Sequence, residues 1–139
     1  AATRRGGHSM FKLIEQYGPL VGRILLAAIF MISGFHKIAG FEGSAQYMAG
    51  KGLPMVPFLL ALATIAELAG AALLVLGWHA RWAALVIFLY VIPVTLVFHP
   101  FWTDASQLWN FWKNVAIMGG MLYIMAYGPG PFSIDQRRR

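Results

Sequence analysis

Residues 57–76 read PFLLALATIAELAGAALLVL. The stretch is apolar on every side of a helical wheel and carries one charge, Glu67. A helix of that length rises about 30 Å, the thickness of the hydrocarbon core of a bilayer. A helix apolar all round belongs in lipid or deep inside a large protein. With 139 residues the chain is too short to bury it in a core of its own. Three further runs of similar length flank it: 20–39, between Tyr17-Gly18-Pro19 and Gly40; 82–98, ended by His99-Pro100; and 111–127, ended by Gly128-Pro129-Gly130-Pro131. No ten-residue alternating segments occur, which argues against barrel strands. Backbone polar groups in lipid must then pair inside each segment, as helices do.

The expected fold is all-α: a membrane-embedded bundle of four transmembrane helices, about 20–39, 57–76, 82–98 and 111–127, in one domain over residues 19–131. Residues 1–18 are expected as an N-terminal tail and 132–139 as a basic C-terminal tail, with Met10 a candidate native start. Pro19 and Pro57 suit helix starts, whereas Pro93 should kink the third helix. Gly43–Gly50 and Asp104–Asn110 are expected to add short interfacial turns, and Gly18/Gly22 and Ala66/Gly70 to permit close helix approach. Trp78, Trp82, Trp102, Trp109 and Trp112 fall near run ends, as an aromatic belt predicts.

Composition agrees. Hydrophobic residues make up 59% and charged residues 12%, against ~45–50% and ~25% in soluble domains. Cys is 0, which excludes disulfides, thiolate metal sites and thiol relays. The net charge of +6 gathers at the chain ends rather than in a basic patch, so lipid headgroups, not nucleic acid, are the expected partner. With four spans, the side shared by the termini and the middle loop holds eight Lys and Arg residues and the other side three (Lys37, Lys51, Lys113). The positive-inside rule therefore places both termini in the cytoplasm.

An ionisable residue inside a span needs a partner, because it costs ~2.5–3.5 kcal/mol on insertion scales. Glu67 is the deepest such residue. Arg23 is its nearest candidate partner toward the cytoplasmic side; His36, Lys37, His99 and Lys113 are the candidates on the other. Lys113 can face inward only if the stripe it shares with Ile117 does. The candidate buried network is Arg23, Lys37, Glu67, His99 and Lys113. Each has a plainer reading: Arg23, Lys37 and Lys113 can anchor at headgroups, Glu67 can form a fold-specifying ion pair, and His79 beside Arg81 can be merely solvated.

A quinone or lipid pocket needs an apolar cleft with one or two hydrogen-bonding groups. His36, Tyr90 and Trp109 are added as lining candidates on that ground. No metal site and no covalently bound cofactor is expected. A b-type haem would need His36 and His99 as its axial pair, and both sit at helix ends. A zinc or iron site would have to force His36, His99 and Asp104 together.

An ordered set of short motifs resembles the DoxX family of small membrane proteins: Gly22-Arg23, Gly34-Phe35-His36-Lys37, Gly52-Leu53-Pro54, Glu67-Leu68-Ala69-Gly70, Leu76 to Arg81, His99-Pro100-Phe101-Trp102, Trp112-Lys113-Asn114 and Gly128-Pro129-Gly130. The resemblance covers about residues 19–135 and implies four helices crossing a bacterial or archaeal cytoplasmic membrane, with both chain ends on its cytoplasmic side. It also implies a redox association, since the family takes its name from a subunit tied to thiosulfate:quinone oxidation. It carries over no catalytic residue. The expected function is an accessory subunit that binds a quinone, a lipid or a partner protein, with other subunits or further copies of the chain as neighbours. A small proton-coupled carrier and a purely structural subunit are the alternatives.

Overall fold

The computed structural model describes the backbone of residues 2–137 and the side chains of residues 9–137. Arg138 and Arg139, and the side chains of Arg4 and Arg5, lie outside the described residues. The fold is all-helical, with no strand among the described residues. The helices are α1 (Ala2–Ala39), α2 (Phe41–Gly50), α3 (Val56–Leu76), α4 (Ala80–Phe98), α5 (Leu108–Tyr127) and the single turn α6 (Ile134–Arg137), with a 3-10 turn at Ala105–Gln107 before α5. Three segments are long and apolar enough to cross a membrane: Ser9–Ala39, Val56–Leu76 and Ala80–Phe98. The expected fourth, α5, has the length, but Asn110, Lys113 and Asn114 make its first turns more polar.

The expected start of the first helix at residue 20 needs correction. α1 runs unbroken through Tyr17-Gly18-Pro19, with Pro19 in its interior. Proline removes one N–H and crowds one carbonyl, which bends a helix more readily than it ends one when the sequence on both sides favours helix. Here Met10, Ile14, Tyr17 and Val21 recur at helical spacing and carry the apolar stripe across the proline. The segment expected as an N-terminal tail is therefore, where described, an extension of α1. The expected turns at 43–50 form a full helix, α2.

Small residues set the helix contacts. A Cβ on Gly34 would stand 2.5 Å from Leu68 Cγ, so α1 and α3 touch there backbone to side chain. A Cβ on Gly70 would meet Ile87 Cδ1 at 2.8 Å, which brings α3 onto α4. Gly120 on α5 faces Leu26 on α1 and completes the ring. Within the chain the Gly18/Gly22 pair brings no other helix close. A Cβ on Gly22 would meet nothing within 4 Å, and one on Gly18 meets only Ile14 of the same helix. Ala27, Phe30, Ala71, Leu74, Ile87 and Met121 fill the centre. The outer surface is apolar as well, with Leu25, Ile32, Ile65 and Trp82 each more than 60% exposed. Such a surface suits lipid as its solvent.

The expected tail at 132–139 is also corrected, up to Arg137. It folds back over the α3–α4 turn. The Asp135 carboxylate accepts from the N–H groups of His79 (2.8 Å) and Ala80 (2.9 Å), capping α4. The Asp135 N–H donates to the Gly77 carbonyl at 2.9 Å, and Ser133 is buried. Gly77 turns at φ +66°, and a Cβ there would collide with Ser133 and the Arg23 guanidinium, so only glycine fits.

Candidate functional site

The polar residues of the membrane segments sort into two clusters at different depths. The first centres on Glu67, which is 3% exposed. Lys37, in the last turn of α1, places Nζ 2.7 Å from Glu67 Oε1. Tyr90 on α4 donates its hydroxyl to the same oxygen at 2.6 Å. Lys37 also donates to Ser33 Oγ, one turn earlier, at 2.7 Å. Two donors on Oε1 fix the orientation of the carboxyl group. Glu67 Oε2 is buried without a hydrogen-bond partner from the protein.

This triad lines a cavity of about 1130 Å³ between α1, α3, α4 and α5, with α2 along one side. Most of its wall is apolar: Phe30, Leu60, Val94, Val97, Phe98 and Ile117. His36, His99, Lys113 and Asn114 complete the polar part. The cavity exists because Pro93 and small residues such as Ala63 and Ala66 occupy its wall where bulkier side chains would fill it. On α2, Tyr47 stacks on Phe98 of α4 with centroids 5.5 Å apart, which ties α2 to the rim.

Of the residues singled out from sequence, Lys37, Glu67, Tyr90, His36, His99 and Lys113 all line this one cavity. His99 Nδ1 lies 2.7 Å from Gln107 Oε1, which also accepts from Asn110 Nδ2 at 3.0 Å. An amide oxygen only accepts, so the His99 proton sits on Nδ1 and leaves Nε2 as the acceptor in the neutral ring. Trp109 is not part of the site: it is 79% exposed on the outer face of α5. His36, His99 and Asp104 do not gather into a group that could hold a metal ion among the described residues.

Arg23 belongs to the second cluster and does not reach Glu67. It is 2% exposed and binds backbone carbonyls only: Leu74 (2.9 Å) and Val75 (3.0 Å) through one terminal nitrogen, Pro131 (3.3 Å) and Phe132 (2.9 Å) through the other. It thereby caps the Val75 carbonyl at the end of α3, adds a second donor to the Leu74 carbonyl, which also accepts the Gly77 N–H at 3.2 Å, and pins the returning C-terminal segment to them. Tyr17 stacks on Phe132 beside it at 5.3 Å.

Sequence reasoning missed one buried pair, Asn114 Nδ2 donating to Thr95 Oγ1 at 3.0 Å, which in turn donates to the Val91 carbonyl at 2.6 Å. The signal was present: an amide in an apolar run demands a partner as a carboxylate does, and Thr95 is the polar residue of the third run.

Residues 18–100 match the family model DoxX. The chain is 39% identical over 123 residues to inner membrane protein YphA of Escherichia coli K12, covering 85% of this chain and 88% of that protein. It is 34% identical over 125 residues to inner membrane protein YqjF of the same organism, covering 90% and 95%. A Surfeit locus protein 4 homolog of Schizosaccharomyces pombe is 28% identical over 130 residues, which are 88% of this chain and 38% of that longer protein. No solved structure matches the chain. With a family match across more than half its length and relatives of its own size in the inner membrane, the chain belongs to the DoxX family and is an integral, multi-pass inner-membrane protein.

Proposed function

We propose that the protein holds an apolar small molecule of the quinone or lipid class in the cavity around Glu67. We propose further that it does so as an accessory subunit of a quinone-linked redox assembly. The observation that carries the reading is the cavity itself. About 1130 Å³ of largely apolar space, with one ion pair and a tyrosine hydroxyl at its wall, has the make-up of a ligand pocket: apolar walls and a few placed polar groups. A bundle that needed Glu67 and Lys37 only as a structural pair would gain by closing that space, since voids forfeit packing contacts. An accessory rather than catalytic role fits a chain with Cys 0, and the redox association is what the family resemblance implies. Against the carrier alternative stands the geometry of Glu67. Lys37 and Tyr90 both hold Oε1, which favours a side chain fixed between α1 and α4 over one that swings between two sides of the membrane.

In this reading four helices cross the membrane and both chain ends face the cytoplasm. Support comes from α5, which pairs with α4 from Asn114–Thr95 to the approach of the Arg81 guanidinium to the Ala126 carbonyl at 3.5 Å. It therefore traverses much of the depth that α4 does. The excess of Lys and Arg on the side of the α3–α4 turn supplies the orientation.

The test is purification from native membrane with organic extraction and mass spectrometry of what is bound. An apolar ligand near one per chain is expected, and Ala66→Phe, which fills the cavity without touching the ion pair, should remove it. Equal amounts of the same lipids from both forms would refute the pocket.

A further inference from the structure

We infer that the occupant of the cavity carries a negatively charged head, a carboxylate or a phosphate, on a hydrocarbon chain, and that Lys113 meets the head. This rests on the pocket reading above and selects an anionic lipid within it.

Three residues with a formal charge line the cavity: Lys37, Glu67 and Lys113. Lys37 and Glu67 offset each other, with Nζ 2.7 Å from Oε1. The second Glu67 oxygen is buried, so the carboxyl group offers a ligand no free acceptor. That pair is the one ion pair among the described residues, which leaves Lys113 with a positive charge and no carboxylate beside it. Lys37 has a donor to spare as well. An ammonium has three N–H groups, and Glu67 Oε1 and Ser33 Oγ take two of them. The wall therefore carries one positive charge in excess, and apolar walls focus the field of an unbalanced charge. A cation is repelled there. A neutral ketone or ester oxygen can accept from a lysine but leaves the charge unbalanced. A carboxylate or phosphate accepts and balances it.

The same residues orient the molecule. Lys37 lies in the last turn of α1, Lys113 in the second turn of α5, and His99 at the end of α4, so all three belong to one end of the bundle. Phe30 and Val91, which line the same cavity, sit about 10–12 Å deeper along α1 and α4 at ~1.5 Å per residue. The head stays at the charged rim and the tail runs inward between apolar walls.

Five ten-carbon probes decide this: decanoate, decyl phosphate, methyl decanoate, decanol and decylamine. Native mass spectrometry counts what the full chain retains in detergent at pH 8, each probe at equal concentration, above what Ala66→Phe retains. The two anions are expected to bind about tenfold more tightly than the ester or the alcohol, the value of one charge-assisted hydrogen bond, and decylamine not at all. The tighter of the anions tells a free fatty acid from a phospholipid head. Lys113→Met should bring anion and ester within about twofold, and Lys113→Arg should keep the preference. Equal retention of anion, ester and alcohol by the unaltered protein overturns the inference and leaves the pocket standing. So does an anion preference that survives Lys113→Met, the result expected of a lysine that only anchors at headgroups. If no probe is retained above Ala66→Phe, the pocket reading itself falls. Should Lys113→Met fold poorly, the comparison of anion with ester and amine on the unaltered protein still decides the charge.

Discussion

Removing Lys37 should harm the bundle more than removing Lys37 and Glu67 together. The carboxylate is 3% exposed and the ammonium side chain 23%. Lys37→Met would leave Glu67 deep in the bundle with Tyr90 as its one donor. Breaking a buried pair from one side costs about 3–5 kcal/mol. The cavity gives water some access, so the lower end, about 3 kcal/mol, applies. Glu67→Gln is milder, about 1–2 kcal/mol, because the Lys37 ammonium keeps Ser33 and is partly exposed. In Lys37→Met with Glu67→Gln no charge remains to be paired, and the net loss should be about 1 kcal/mol. The coupling in the double-mutant cycle is then roughly 3 kcal/mol. Thermal unfolding of the purified protein reads it: at about 3 °C per kcal/mol for a chain of this size, the lysine variant should melt roughly 10 °C early and the double variant only a few degrees early. Additive shifts, with the double variant the least stable, would refute the claim that these two groups exist for each other.

Arg23→Met removes four carbonyl contacts from a residue 2% exposed and should cost about 3 kcal/mol by the same melting assay. Arg23→Lys should restore only part of it, since one ammonium cannot address both carbonyl pairs at once. Gly34→Ala would place a methyl 2.5 Å from Leu68 Cγ, and a loss of about 1–3 kcal/mol is expected from forcing α1 and α3 apart. The hydroxyl and N–H of Ser106 hold the exposed Asp104 carboxyl below its ordinary pKa. Its contribution to the turn is thus fully present above the unfolded-state value near ~3.9 and is lost as pH falls through the lower folded value. Hydrogen exchange at the Ser106 amide should show intact protection from neutral pH down to about 4 and loss below. Asp104→Ala should lose that protection at neutral pH.

The apolar runs made the helices legible, because a helix uniformly greasy over 20 residues has few places to go. Glu67 was legible for the same reason, as the one charge in its run. The choice of Lys37 over Arg23 was not. Both are long cations on one helix, and what separates them is where the chain goes after Gly128. Arg23 is claimed by the carbonyls of Pro131 and Phe132, and nothing in residues 128–135 announces a return to α3. Backbone carbonyls carry no side-chain signature, so a residue recruited to bind them leaves no pattern. The continuity of α1 through Pro19 was hidden by the opposite effect. Tyr-Gly-Pro is a strong local stop signal, and it lost to an apolar stripe that continues on both sides of it. Trp109 was misplaced because aromatic residues at a membrane interface serve the pocket and the lipid boundary equally well, and sequence does not say which side of α5 it occupies.

The reach of Arg23 also imposes an order on biogenesis. Its first pair of acceptors lies on α3 and its second about a hundred residues downstream of it, at Pro131 and Phe132. While the polypeptide is leaving the ribosome, the guanidinium waits for atoms that have not been made. The helical hairpins can enter the membrane one after another, but the clasp that fastens the first helix to the end of α3 closes only after Pro131 and Phe132 have been made.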